Sequence, residues 1–124
     1  MTNDLQPFAL WTFTQECAIP HDVANMLVPG EIPVYAYKTI RDIAIFTNKR
    51  LIVRDAQGLT GKKVEVYTLP YSSIIMYSTE NAGTVFDVNS EVELWTKAGK
   101  IKINLNKNVD IRRVDMLLAS YILH

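Results

Sequence analysis

Hydrophobic positions along this chain follow two periods, and the change between them divides it. In "IPHDVANMLVPGE", Val23, Met26 and Leu27 lie three and four apart, the spacing of one helical stripe. Pro20 suits a first helical turn, Asp22 suits its positive end, and Pro29-Gly30 ends it. A short N-terminal helix is predicted. From Ile32 the period becomes two. "VYAYKTI", "IAIF", "RLIVRD", "KKVEVYTL", "SIIMYST" and the two halves of "EVELWTKAGKIKINL" read as about seven antiparallel strands in series. Arg41-Asp42, "TNK" and the glycine-containing "AQGLTG" separate them, and Pro70 ends one because it cannot donate to a ladder. The segment up to about Thr14 mixes Phe8, Leu10, Trp11 and Phe13 with Pro7. It is compatible with a short strand, a turn of helix or an arm docked on a neighbour.

Two C-terminal segments carry sharper expectations. Centring the hairpin turn on Ala98-Gly99 sets Thr96 opposite Ile101, Leu94 opposite Ile103 and Val92 opposite Leu105. Glu93, Trp95, Lys102 and Asn104 then share the other face, and a slip of one residue would turn every apolar side chain to water. In that register Trp95 faces Lys102, a cation–π contact worth ~0.5–1 kcal/mol if exposed. "DIRRVDMLLASYILH" returns to helical spacing, with Asp110 as N-cap and an inner stripe of Ile111, Val114, Leu118 and Tyr121 or Ile122. Met116, Ala119 and Leu123 widen its apolar surface beyond one core contact, which suits either deep burial or a second contact with another subunit.

Strands in series with short turns fold as a barrel or sandwich, and one amphipathic helix can plug an open end. The 124 residues suit a single domain: an arm and helix over 1–30, a barrel over 32–106 and a helix over 110–123. A hydrophobic share of 48% and a charged share of 21% are ordinary for a globular protein. Thirteen cations balance thirteen acids, which argues against a nucleic-acid binder. The charge is nevertheless blocked. Lys38–Lys63 holds seven cations and two acids, Glu80–Glu93 only acids, and Lys97–Arg113 six cations and one acid. Such blocks serve either as solvated strand faces or as complementary patches. Cys17 alone cannot form an internal disulfide, no apolar run nears the ~20 residues that span a bilayer, and the N-terminus lacks a basic leader. The expected compartment is the cytoplasm.

Gly30-Glu31, Arg41-Asp42, "FTNKRLI" over Phe46–Ile52, Asp55, Gln57-Gly58, Gly61–Lys63, Pro70-Tyr71, Ser73-Ile74, Phe86-Asp87 and Ser90–Trp95 occur in an order that resembles the bacterial pleckstrin-homology domains, a family of uncharacterised function. The resemblance spans about Gly30 to Trp95. It implies a mainly β fold, a seven-stranded, partly open antiparallel barrel capped by a C-terminal helix, and it implies self-assembly into homo-oligomers, rings among them. Two departures stand out: an extra residue precedes Phe86-Asp87, and Asn89 stands where an acid is common.

"TNKRLIVRDAQGLTGKK" carries five cations. Five residues of strand span roughly 17 Å, so Lys49 and Arg50 cannot share one phosphate with the rest. The candidate anion or lipid site is therefore Arg54, Lys62 and Lys63, opposed by Asp55. At about 1 kcal/mol per cation near an anionic bilayer, three give ~3 kcal/mol, weaker than millimolar. A ring could multiply that by ~10²–10⁴. The competing reading is a solvated hairpin or pairing with nearby acids. Catalysis has little support. His21, His124 and Cys17 lack zinc-ligand spacing, no triad order is present, and "GLTGKK" lacks both the phosphate-loop spacing and the hydroxyl after lysine. Arg41-Asp42 suits a brace at a strand bend better than a functional pair, and Trp11 and Trp95 suit packing better than ligand platforms. The expectation is a non-enzymatic domain without metal or cofactor, partnered by itself and possible protein partners, with Trp95, Met116 and Leu123 as interface candidates. The alternative is a peripheral module on anionic membranes, acting through Arg54, Lys62 and Lys63.

Overall fold

Eight strands form one sheet in the order β5-β4-β3-β2-β1-β8-β7-β6. In the computed structural model, which describes residues 9–57, 63–80 and 89–123, the strands are β1 (Ala9–Cys17), β2 (Pro33–Thr39), β3 (Ile43–Thr47), β4 (Arg50–Gln57), β5 (Lys63–Pro70), β6 (Ile74–Glu80), β7 (Ser90–Thr96) and β8 (Gly99–Leu105). One α-helix, α1 (Ile111–Ile122), follows them. Laid flat, the outermost strands would stand about 34 Å apart. Yet only the 3-10 turn Tyr71–Ser73 joins them, and such a link reaches at most about 14 Å. The sheet is therefore rolled, with its edges close at the Pro70–Ile74 corner. This is the mainly β, partly open arrangement expected, with the C-terminal helix in place.

Three expectations are corrected. Among the described residues there are eight strands, not seven, because β1 is a full strand. It lies parallel to β8 (Trp11 opposite Ile103) and antiparallel to β2 (Glu16 opposite Tyr37), so the sheet is not wholly antiparallel. The N-terminal helix is a six-residue 3-10 helix, His21–Met26, between Pro20 and Pro29, and it buries only Val23. The β7–β8 register differs by two residues. Thr96 faces Gly99, Leu94 faces Ile101, Val92 faces Ile103 and Trp95 faces Lys100. The turn is the two residues Lys97-Ala98, because Thr96 Oγ1 accepts from the Ala98 and Gly99 amides and donates to the Gly99 carbonyl at 2.7 Å. Gly99 follows at φ 142°, a region that favours glycine. A shift of two keeps the pleat parity, so Leu94 and Ile103 still share the core face.

The inner face of the roll buries Phe13, Leu51, Val53, Val92, Leu94, Ile101, Ile103 and Leu105, and Val114, Leu117 and Leu118 of α1 seal one end. Leu117 joins the inner stripe that spacing assigned to its neighbours. Asp110 caps α1, its Oδ1 accepting from the Arg112 amide at 3.0 Å. Tyr71 at the closed corner stacks on Tyr121 of the helix, with ring centroids 5.7 Å apart. A smaller cluster lies outside the sheet, where Val23, with Met26, Leu27 and Cys17, covers Ala36, Ile43, Ile45 and Ile52. All five residues of β3 are consequently buried, which explains the unbroken apolar run "IAIF".

Candidate functional site

Arg54 stands on the outer face of β4, and two carboxylates already hold it. Its Nη1 donates to Asp22 Oδ2 at 2.8 Å and its Nε to Asp42 Oδ2 at 3.1 Å. Burial alone would lower its pKa, but the two acids raise it. Lys63 is exposed at the start of β5, and Lys62 lies outside the described residues. Asp55, expected to oppose this cluster, pairs instead with Arg41 at 3.6 Å. Arg41 and Asp42 thus brace the β2–β3 bend through partners on β4, and Asp42 also donates its amide to Thr39 Oγ1.

A second arginine does structural work that spacing alone did not reveal. Gly30 turns the chain at φ 82° and delivers Glu31 beneath the β3–β4 turn. The Glu31 side chain is 0% exposed. Arg50 Nε donates to its Oε2 at 2.8 Å and Nη2 to its Oε1 at 3.1 Å, a fork on both oxygens. Thr47 Oγ1 adds a bond at 2.7 Å and the Val28 amide another at 3.0 Å. Arg50 also reaches the Met26 carbonyl and Thr68. Burial pushes the Glu31 carboxyl up, but the bonds from Arg50, Thr47 and Val28, with the Arg50 charge, outweigh it and hold the pKa at about 2. Asn48 ties the same turn to the Gly30 carbonyl and the Ile32 amide. The quoted pairs Gly30-Glu31 and Asn48–Arg50 therefore form a brace rather than a ligand site.

The outer surface carries apolar side chains at both ends of the sheet. On β5, Val64 and Val66 point away from the core and are exposed. On β6, a register shift between Ile74 and Met76 leaves Ile75 and Met76 exposed, with Met76 opposite Trp95. Trp95 is half-buried, and Lys100 Nζ sits 5.9 Å from its ring centroid. Lys102 bonds Glu91 at 3.0 Å instead. Met116 and Leu123 of α1 are both exposed.

The interior of the roll opens opposite α1. At one end of β2, Tyr35 lies 4.2 Å under the Arg113 guanidinium of the helix, while Thr39 at the other end lines a cleft of about 430 Å³. Trp11, Tyr67, Arg41 and Asp55 contribute to its walls. Trp11 shares its strand face with Phe13, Asp55 with Val53, and Tyr67 with Leu69, so all three continue the core face outward. Trp11 and Tyr67 rings meet at 5.7 Å, tilted by 57°.

Among the described residues, no group of three His, Cys, Asp or Glu side chains could hold a metal, and no helix is long and apolar enough to cross a membrane. Burial, the largest influence, raises the pKa of the half-buried Cys17 thiol.

The profile of the family described as "Bacterial PH domain" matches residues 6–122. The chain is 43% identical over 106 residues to the uncharacterized protein YjqA of Bacillus subtilis, covering 83% of this chain and 84% of that one. It is 33% identical over 97 residues to the uncharacterized protein YozO of the same organism, covering 78% and 83%. Among solved structures, it is similar to a DUF1696 family protein with a pleckstrin-homology domain from Shewanella loihica, with TM-score 0.79, 33% identity and coverage of 87% and 96%. A pleckstrin homology domain from Shewanella amazonensis gives TM-score 0.67 and 36% identity, with coverage of 83% and 84%.

Proposed function

Because the chain belongs to the bacterial PH domain family, whose fold positions surfaces rather than reagents, we propose that it is a non-enzymatic scaffold of the cytoplasm that assembles with copies of itself. The observation that carries this reading is the open sheet. Its two outermost strands, β5 and β6, each have a sheet neighbour on one side only, among the described residues. Each also exposes two large apolar side chains, Val64 and Val66 on one and Ile75 and Met76 on the other. Unpaired strand edges with apolar flanks are templates for another strand. The two edges differ, so β5 of one copy against β6 of the next is a head-to-tail contact. Repeated, such a contact closes into a ring or runs on as a filament. Trp95 beside Met76 belongs to the same surface, and Met116 and Leu123 supply a second apolar face for a neighbour or a protein partner.

The alternative, an anion or anionic-membrane site at Arg54, Lys62 and Lys63, has less support. Arg54 is engaged by Asp22 and Asp42, and its guanidinium would have to leave them to meet a phosphate. Light scattering on the purified chain tests the scaffold. An oligomeric mass at ~100 μM supports it, at the micromolar-to-millimolar concentrations where exposed strand edges associate. A strictly monomeric mass there overturns it. Binding to anionic vesicles that charge reversal at Lys63 abolishes would favour the alternative.

A further inference from the structure

The sheet has an edge inside it as well as at its ends. β1 and β2 pair from Phe13–Thr39 to Cys17–Ala36, so β2 stops opposite Phe13. β1 nevertheless remains paired with β8 over Ala9–Phe13. On the other side, β3 ends its pairing with β4 at Ile43–Arg54, whereas β4 stays paired with β5 as far as Gln57–Lys63. The bend between β2 and β3 therefore sits at the base of a gap, with the first half of β1 along one side and the far end of β4 along the other. β1 and β4 are three places apart in the sheet, about 14 Å when flat, so the gap is at most two strands wide. The cleft of about 430 Å³ is this gap, with Leu10, Thr12, Thr39, Ile40 and Val53 among its walls. On its inner side the rings of Trp11 and Tyr67 meet at 5.7 Å and floor it. On its outer side Leu10 and Ile40 are 57% and 76% exposed.

The β1 wall of the gap offers main chain as well as side chains. The Asn106 amide donates to the Phe13 carbonyl at 3.0 Å, so Phe13 aims its backbone groups at β8. Backbone groups along a strand point to alternate sides, so Trp11 also faces β8, while Leu10 and Thr12 face the gap. Among the described residues no strand lies opposite Leu10 on that side. Backbone donors and acceptors repeating every second residue are what the main chain of another strand pairs with. The edge of a folded sheet brings its own neighbours and is too broad for this gap, which leaves a single extended chain. We infer that the gap takes one extended segment of a partner protein, added as a strand beside Ala9–Thr12, with main-chain bonds to Leu10 and an apolar side chain set down on Trp11 and Tyr67. Side chains alternate along such a segment, so the residues on either side of the inward one meet Leu10 and Ile40. The matching segment is therefore a short run of three apolar residues. This slot is separate from the β5 and β6 edges on which the proposed self-assembly rests.

The test uses the full chain and a capped, fluorescein-labelled peptide, Ser-Val-Val-Val-Ser, followed by fluorescence polarisation and by hydrogen exchange of the Leu10 amide. Saturable binding is expected, and saturating peptide slows exchange at Leu10 at least tenfold. Two further peptides carry N-methyl groups on alternate residues, one on the first and third valines and the other on the central valine. The peptide whose methylated nitrogens face β1 binds at least tenfold more weakly, and the other binds within threefold of the parent peptide. Leu10→Pro removes the donor on the gap side, leaves the β8 ladder its bonds, and weakens binding at least tenfold. The methylated peptides report on the unaltered chain, so the outcome stands even where that variant does not fold. Val66→Lys and Met76→Lys, on the outer edges, leave binding within twofold. Loss of binding in either lysine variant assigns the peptide to an outer edge and overturns the inference. Equal affinity of the two methylated peptides marks contact without strand pairing and overturns it, as does the absence of binding at ~1 mM peptide.

Discussion

Glu31 and Arg50 meet beneath the β3–β4 turn as a forked ion pair, with Arg50 Nε 2.8 Å and Nη2 3.1 Å from the two carboxylate oxygens. The pair joins the segment that covers the outer face of the sheet to the strand it covers. Removing one partner leaves the other buried and uncompensated. Arg50→Ala is therefore expected to destabilise the fold by about 3–5 kcal/mol, read as a shift of the urea midpoint. An unchanged midpoint would show that solvent reaches Glu31 freely.

The same carboxyl sets an acid limit. Its folded pKa is about 2, below the ordinary value of 4.5. A group depressed in this way contributes stability above its unfolded pKa and loses it as pH falls through the folded value. The contribution, on the order of 3 kcal/mol, is complete above about pH 4.5 and disappears toward pH 2. Glu31→Gln is expected to be less stable than the parent at pH 7 and to flatten the pH dependence between those limits. Melting curves at several pH values check this, and parallel slopes for the two proteins would refute it.

Tyr37 makes the opposite case. Its ring is 1% exposed and stacks on Phe13 with centroids 5.3 Å apart, yet its hydroxyl is buried without a hydrogen-bond partner among the described residues. Burial, the largest influence, pushes its pKa up, so the phenol stays neutral. Deleting the hydroxyl removes an uncompensated desolvation cost while keeping the stack. Tyr37→Phe is expected to match the parent or exceed it by about 1 kcal/mol. A loss of that size would mean that the hydroxyl is bonded in solution.

What could be read from the linear chain follows the distance over which its physics acts. Strands β2 to β8 announce themselves because the signal, alternation in most and an unbroken apolar run in β3, is local to each. The Asp110 cap needs only the Arg112 amide two residues on. β1 is ambiguous in the linear chain because the residues that make it a strand lie far away: Trp11 pairs with Ile103, and Glu16 with Tyr37. The partners of Arg54 lie 12 and 32 positions upstream, whereas adjacency pointed to Asp55. The Asp55 cleft assembles from β1, the end of β2, β4 and β5 together, and no short motif encodes it. The hairpin slipped by two because a side chain, Thr96 Oγ1, closes the turn one step earlier than the glycine suggests.

That hairpin gives a direct check. Thr96 Oγ1 serves three backbone bonds in the turn, and valine would keep the shape while losing them. Thr96→Val is expected to cost about 1–2 kcal/mol. Gly99→Ala should cost a similar ~1–2 kcal/mol, because alanine is strained at φ 142°. If the turn were centred one residue later, Thr96 would be an ordinary strand position and valine would be neutral or better.

Assembly through unlike edges makes the most discriminating prediction. Lysine on a free edge opposes strand addition, because docking would desolvate its charge. Val66→Lys should block the β5 edge, and Met76→Lys the β6 edge; both positions are exposed in the folded chain, so each variant should melt within ~0.5 kcal/mol of the parent. If β5 of one copy meets β6 of the next, each variant alone is monomeric, since every contact needs one edge of each kind. Mixed, the two variants retain one intact edge apiece, β6 on the first and β5 on the second. They should then form a one-to-one pair and stop, because both outward edges of that pair are blocked. Like-with-like contacts behave differently: the β6-blocked variant would still dimerise through β5, and mixing would add nothing. Light scattering on the separate and mixed variants distinguishes these cases, and monomers in the mixture would rule out edge-to-edge assembly of either kind.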